Sequence, residues 1–387
     1  MSLAASLRAR TFGIAFLYSV PFGLLLYFNS SFLLARGLSE QGVALALSFG
    51  YLLSVFITLL LPSLLRSFGN RRLFVSGLTF AGVVYLALAL TSAPVLSAIL
   101  LAVALAISTS LYALLDIFLA ATSANPDKVG GRRGIFATLR NGAYIVAQLI
   151  TSAAFAYASF NDLYGVVALI FFGIAILSSV LFESFRDPVY EHYDWPGVWR
   201  RLSASSNLRN TFVVQFLLRI FYSIMVVYTP IYLHDHVGIP YESLGFVFAI
   251  MIVPFILLEI PIGRLEDKKW GEQEVIVAGF LITGLATGAL AFITTSSVLV
   301  WAAALFTTRI GAALLDIGSE TYFFKQVRGG DSGEVSAFRV LFPFSYIAGP
   351  LLAAALLFVL PLQYLFVALG LLMLAGILPA LALKDTR

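Results

Sequence analysis

The chain has 387 residues, of which 60% are hydrophobic and 11% charged, against about 25% charged in a typical soluble domain. That is too few charges to cover a soluble surface, and the apolar residues fall in runs near twenty, long enough to cross a hydrocarbon core of roughly 30 Å. With no cysteine and three histidines, disulfide frameworks, thiolate metal centres and thiol nucleophiles are excluded. No phosphate-cradling loop is present, so transport driven by ATP within this chain is not expected.

Twelve spans are predicted at about 11–36, 40–65, 71–92, 95–124, 134–159, 162–184, 211–234, 242–262, 273–295, 298–325, 334–358 and 361–383. Their joints carry breakers such as Gly69-Asn70, Asn125-Pro126, Gly130-Gly131, Gly238-Ile239-Pro240 and Gly329-Gly330. The first run follows Arg8 and Arg10 but exceeds the 7–15 residues of a signal-peptide core, so it reads as a retained helix. When alternate loops are assigned to opposite sides, nineteen of the 24 Lys and Arg, from Arg8 to Arg387, fall on one side, and only Arg36 lies in an opposite loop. The positive-inside bias therefore places both termini in the cytoplasm and requires an even number of spans.

The longest polar stretch, residues 185–210, divides the chain near its middle. It reads as a cytoplasmic linker between bundles at 1–184 and 211–387. Within it Trp195, Val198, Trp199 and Leu202 share a side that would suit a short interfacial helix, with a solvated connector as the alternative. His234-Asp235-His236 reads as an exposed loop, because neighbours at i and i+2 share no helix face and no further ligands cluster near them; no metal site is expected.

The two halves repeat. Ala113-Leu114-Leu115-Asp116-Ile117 recurs 200 residues later as Ala313-Leu314-Leu315-Asp316-Ile317. Tyr27 and Tyr228, Gly37 and Gly238, Pro62 and Pro261, and Tyr144-Ile145 and Tyr346-Ile347 keep offsets of 201, 201, 199 and 202. Matches at one spacing in corresponding helices indicate a duplicated six-helix unit, and both copies begin on the same side, so the repeats are parallel.

Gly263-Arg264-Leu265-Glu266-Asp267-Lys268-Lys269-Trp270-Gly271, after the eighth span, is similar to the G-x-L-x-D-R-x-G signature of the major facilitator superfamily, with one extra residue. The equivalent first-half loop keeps Gly69 and the basic pair Arg71-Arg72 but lacks the acid, Arg66 standing near its place. Parallel six-helix halves with a long central loop complete the resemblance, which covers essentially the whole chain. The resemblance implies an all-α fold of twelve transmembrane helices in two pseudo-symmetric bundles, a central cavity lined by the first, fourth, seventh and tenth helices, and a cytoplasmic gate. Gly263, Asp267, Lys268 and Gly271 would belong to that gate, with Glu259 beside them and Arg140 and Arg339 near the same edge; Asp267 would latch against the start of the fifth helix near Arg132, Arg133 and Gly134. Ser345-Tyr346-Ile347-Ala348-Gly349-Pro350 is similar to an antiporter motif, although the family carries that motif on the fifth helix. It gives a lean toward export by antiport.

Charges at bilayer depth cost about 2.5–3.5 kcal/mol each on insertion scales, so each needs a partner, a watery cavity or a role. Arg309, Asp316 and Glu320 are spaced i, i+7, i+11 and fall within about 40° of one another on a helix, a single polar stripe. Gln215, Arg219 and Tyr222 form a second polar face on the seventh span, at a depth that permits a carboxylate–guanidinium contact. These six, with Asp116 and Asn29, are the candidates for binding substrate or a coupling proton. Structural alternatives stand beside them: Asp116 with Arg140, and Asp316 with Arg339, could be permanent ion pairs, and Asn29 could bond a neighbouring helix.

The sequence thus predicts a secondary active transporter of a small solute in the cytoplasmic membrane, acting as a monomer by alternating access. Its energy source would be an ion gradient, most simply protons, with no cofactor and no nucleic-acid partner. An importer or passive facilitator is the alternative within transport, and a membrane-embedded sensor, lipid scramblase or enzyme the alternative outside it. No nucleophile–base constellation supports an enzyme.

Overall fold

The computed structural model describes residues 3–121, 129–188, 195–268, 271–327 and 332–384; for 3–6, 120–121, 129–137, 195, 259–268, 332–333 and 335–336 it describes the backbone alone. The chain divides into two compact units, Met1–His192 and Tyr193–Arg387. Among the described residues all regular structure is helical.

Unit 1 contains α1 (Leu3–Leu25), α2 (Asn29–Ala35), α3 (Glu40–Phe68), α4 (Asn70–Leu90), α5 (Pro94–Ala121), α6 (Val129–Ala154) and α7 (Phe160–Leu181). Unit 2 contains α8 (Trp195–Ala204), α9 (Ser206–Ile231), α10 (Tyr241–Lys268), α11 (Glu272–Ala289), α12 (Val298–Gln326), α13 (Ser332–Leu356), α14 (Leu362–Ala375) and α15 (Ile377–Leu381). Among the described residues eleven helical segments are long and apolar enough to cross a membrane, the first running through α1 and α2 over Leu7–Ala35. The twelfth expected span corresponds to α6, whose 26 residues are the right length but include Arg132, Arg133, Arg140 and Gln148. Many helices start where a serine can accept from an otherwise unpartnered N–H. Ser39 accepts from Gly42 N, Ser205 from Leu208 N, and Ser159 forms a reciprocal capping box with Asp162.

The duplication is visible in the packing. In unit 1, α1 packs on α6 and α7, α3 on α5, and α4 on α5 and α7; in unit 2, α9 packs on α13 and α14, α10 on α12, and α11 on α12 and α14. Single bonds repeat as well. Arg71 Nη2 donates to the Ser179 carbonyl at 2.6 Å, and 202 residues on at both ends Gln273 Nε2 donates to the Leu381 carbonyl at 2.8 Å. Gly37 and Gly238 turn the chain after the first span of each unit with φ of 91° and 82°, a left-handed conformation that glycine alone adopts at little cost. Outward faces are apolar, for example Leu45, Phe49, Phe56 and Leu59 on α3 and Leu169, Ile176 and Val180 on α7. In a bilayer this is the favourable arrangement, because helices satisfy their own backbone groups and present hydrocarbon to lipid.

The central polar stretch differs from the expected connector. Residues 195–204 are helical, but the apolar side of α8 is turned onto protein rather than toward headgroups: Val198 and Leu202 are buried against Ala337 and packed by Leu208 and Phe212. Trp199, expected on that side, is half exposed. An Arg201–Glu334 ion pair fastens α8 to the first turn of α13. His234 stacks on Tyr241 at 3.7 Å in a π-helical turn, Tyr232–His236, while Asp235 and His236 are exposed. No group of three metal-ligating side chains occurs among the described residues.

Candidate functional site

The strongest polar constellation lies in unit 2, where α9 meets α12. Arg219 projects from the middle of α9, and its Nη2 is 3.0 Å from Asp316 Oδ1 and 3.7 Å from Glu320 Oε1. The two acids sit four residues apart on one face of α12, so a single guanidinium can address both. Their environments differ: the Asp316 side chain is 23% exposed and that of Glu320 51%. Gln215, one turn before Arg219, joins the group from the same side. Its Nε2 lies 3.5 Å from Asp316 Oδ1, and its Oε1 accepts from Ser319 Oγ at 3.0 Å. Tyr222, one turn after Arg219, donates to the Ala312 carbonyl at 3.3 Å.

Arg309 completes the stripe nearer the middle of α12. It is 2% exposed, with its guanidinium carbon 5.0 Å from the centre of the Phe221 ring and 5.3 Å from that of Tyr222. The Arg219 guanidinium carbon lies 5.7 Å from the same Tyr222 ring. Cation–π contact of this kind is worth about 2 kcal/mol when desolvated. It offsets only part of the cost of a buried cation. Nη1 of Arg309 is fully buried and meets no acceptor.

The expected Asp316–Arg339 pair is not formed. Arg339 is exposed on α13, whereas Arg219 lies on the helix packed against α12, so Asp316 pairs with Arg219. Asp116 and Arg140 are both half-buried in unit 1. Asn29 accepts from Tyr164 OH at 2.8 Å, which makes it a tie between α2 and α7. Of the expected gate residues, Glu259, Gly263, Asp267 and Lys268 fall on the last turns of α10, and their side chains lie outside the described residues. Gly271 is buried at the N-cap of α11. Beyond it Glu272, 1% exposed, pairs with Lys325 of α12.

Sequence reasoning passes over Ser319 and marks the aromatic cluster of unit 1 only as separate residues, Tyr18 on the first span and Ser108 and Tyr112 on one side of the fourth. Ser319, which bonds Gln215, stands beside Glu320 and three residues after Asp316, so its place on the stripe was available as a signal. In unit 1, Tyr18, Phe22, Tyr112 and Tyr144 form an aromatic cluster. Phe22 stacks on Tyr144 at 5.9 Å, Tyr112 meets Tyr18 edge-on at 4.9 Å, and the Tyr112 and Tyr144 hydroxyls are 2.8 Å apart. Tyr18 donates to the Ser108 carbonyl. Tyr18 and Phe22 are spaced i, i+4 on the first span, as are Ser108 and Tyr112 on the fourth.

Two duplicated units with apolar outward faces and helices long enough to span a bilayer define a multi-pass membrane protein. Residues 211–387 match the family model of the Major Facilitator Superfamily. The matched stretch lies within the second unit, and the first unit repeats its pattern at an offset near 200 residues. Solved structures share the fold over nearly the whole chain. The crystal structure of nucleoside transporter NupG is 11% identical with a TM-score of 0.79, covering 97% of this chain and 98% of that one. A POT family transporter in complex with a thioalcohol-conjugated peptide is 14% identical, TM-score 0.72, covering 98% and 95%. A bacterial homolog of the human lysosomal transporter Spinster, inward-facing and unoccupied, is 12% identical, TM-score 0.74, covering 99% and 96%. Among curated proteins none matches the chain.

Proposed function

We propose that this protein moves a small solute across the cytoplasmic membrane by alternating access of its two units, with a proton as the coupling ion. The observation that carries the reading is the sharing of Arg219 between two unequal acids. Asp316, closer and less exposed, holds the guanidinium; Glu320, at 3.7 Å and half exposed, is the group that can release it and take up a proton. Sites of this kind near the bilayer midplane are where secondary transporters couple ions to solutes.

Both termini are placed in the cytoplasm by the distribution of Lys and Arg, and Asp267 is assigned to the gate at that side by its likeness to the family motif. The antiporter-like segment of α13 carries no direction in this proposal, because its small residue has a packing reason: a Cβ on Gly349 would lie 1.9 Å from Ser223 Oγ of α9.

The test is proton flux in liposomes holding the purified protein, driven by a panel of solutes, with Glu320→Gln and Asp316→Asn beside the wild type. Solute-dependent proton movement that disappears in Glu320→Gln is expected. Solute flux indifferent to both the pH gradient and these substitutions would leave a passive facilitator and refute the coupling.

A further inference from the structure

Among the described residues, Arg309 is a buried cation of the site that meets no acid. Among the described residues it forms no ion pair, and Nη1 is enclosed without an acceptor while the ring faces of Phe221 and Tyr222 cover the guanidinium. It stands twelve residues into the 29-residue α12, near the middle of the span. A charge there is costly, and buried charges are ordinarily paired. Resting on the proposed transport reading and deepening it, we infer that Arg309 is a carboxylate receptor and that the solute is a small organic monoanion.

Charge and shape both select that class. Arg219 already faces Asp316 and Glu320, so with both acids ionised this trio carries one net negative charge and Arg309 one positive. The empty site is neutral. If the solute brings a single negative charge to Arg309 and a proton neutralises Glu320, the loaded site is neutral as well. Both states then cross the membrane field without work, which otherwise amounts to about 2.3 kcal/mol per charge per 100 mV. A dianion or a cation would break this balance. The planar guanidinium offers parallel N–H donors that match the two oxygens of a carboxylate, and the desolvated ring faces beside it suit an organic body rather than a hydrated inorganic ion. An anion on Arg309 and a proton on Glu320 also favour each other electrostatically, so the two travel together.

The experiment uses benzoate as the probe and benzamide, its neutral counterpart, as the control. Purified wild type, Arg309→Gln and Arg309→Lys in lipid nanodiscs are followed by their thermal unfolding midpoint at matched ionic strength. Benzoate but not benzamide is expected to raise the wild-type midpoint saturably, the rise being lost in Arg309→Gln and reduced in Arg309→Lys. Without ligand, Arg309→Gln is expected to unfold at or above the wild-type midpoint, because an unpaired buried charge has been removed. No benzoate effect on the wild type, an equal effect on Arg309→Gln, or an unliganded Arg309→Gln several degrees less stable than wild type would each overturn the inference. The transport reading fails separately. A benzoate shift that depends on Arg309 in a protein showing no proton coupling sinks the coupling alone, and proton-coupled flux of neutral solutes unaffected by Arg309→Gln sinks the receptor alone.

Discussion

The two carboxylates around Arg219 are predicted to differ in how strongly they are coupled to it, and a pair of double-mutant cycles measures that difference. Asp316 lies 3.0 Å from the guanidinium with 23% of its side chain exposed, and Glu320 lies 3.7 Å away with 51% exposed. Distance alone barely separates them: at an effective dielectric constant of 20 the gross Coulomb terms are about 5.5 and 4.5 kcal/mol. Solvent access separates them further, since breaking a buried pair costs about 3–5 kcal/mol and an exposed one about 0–1. Asp316 falls between these limits, and Glu320 falls at the exposed one. Arg219→Gln and Asp316→Asn are therefore expected to cost about 2 kcal/mol each, and to show a coupling energy of about 1–2 kcal/mol in the double variant. Glu320→Gln is expected to cost less than about 1 kcal/mol, with a coupling near 0.5 kcal/mol. Reversible unfolding in mixed detergent micelles gives all the required values. Equal couplings for the two acids, or a larger one for Glu320, would refute the division of labour in which one acid anchors Arg219 and the other exchanges a proton.

Two further predictions concern packing and the fastening of α8. Gly349→Ala forces a methyl group to 1.9 Å from Ser223 Oγ, an overpacking expected to cost about 1–3 kcal/mol in unfolding experiments; Ser223→Gly in the same chain should restore most of it, and an absence of rescue would place the strain elsewhere. At the Arg201–Glu334 pair the side chains are 57% and 5% exposed, so removing the arginine strands a buried carboxylate whose Oε2 already lacks a partner. Arg201→Ala should therefore lower stability by about 2–3 kcal/mol and Glu334→Gln by less than about 1, an asymmetry read from the two unfolding midpoints.

Much of the fold is legible in the chain because the bilayer imposes a length and a polarity on every span. The duplication is legible because Asp116 and Asp316 recur inside one apolar five-residue block. The stripe of Arg309, Asp316 and Glu320 follows from helical geometry alone. The choice of partner does not: Arg219 and Arg339 are at comparable depths in sequence, and only the packing of α9 against α12 turns one of them toward Asp316. Asn29 looks like a ligand group in isolation, because nothing local reveals that Tyr164, 135 residues away, donates to it. The α8 helix is amphipathic in sequence, but amphipathicity does not state whether the apolar side meets lipid or protein. Here Ala337 and Phe212 supply the answer.

Both units keep the aspartate, and in unit 2 an arginine of the first span of the unit reaches it. At the offset of 201 that relates Tyr27 to Tyr228 in the same pair of helices, the position of Arg219 in unit 2 is held by Tyr18 in unit 1. Tyr18 spends its hydroxyl on the Ser108 carbonyl and packs edge-on to Tyr112, whereas Arg219 spans to Asp316 and Glu320. At the offset of 200, Glu320 corresponds to Ala120, so the second acid too is confined to unit 2. At these positions the duplicated scaffold has thus diverged, with a ring and a hydroxyl on the first span of unit 1 where unit 2 has a guanidinium. A neutral hydroxyl network holds its geometry across a wide pH range, because tyrosine and serine do not titrate near neutrality. The charged network changes its bonding whenever a carboxylate gains a proton. The proposed coupling proton would therefore act on the Arg219 contacts between α9 and α12 and leave the bonds of Tyr18 unchanged.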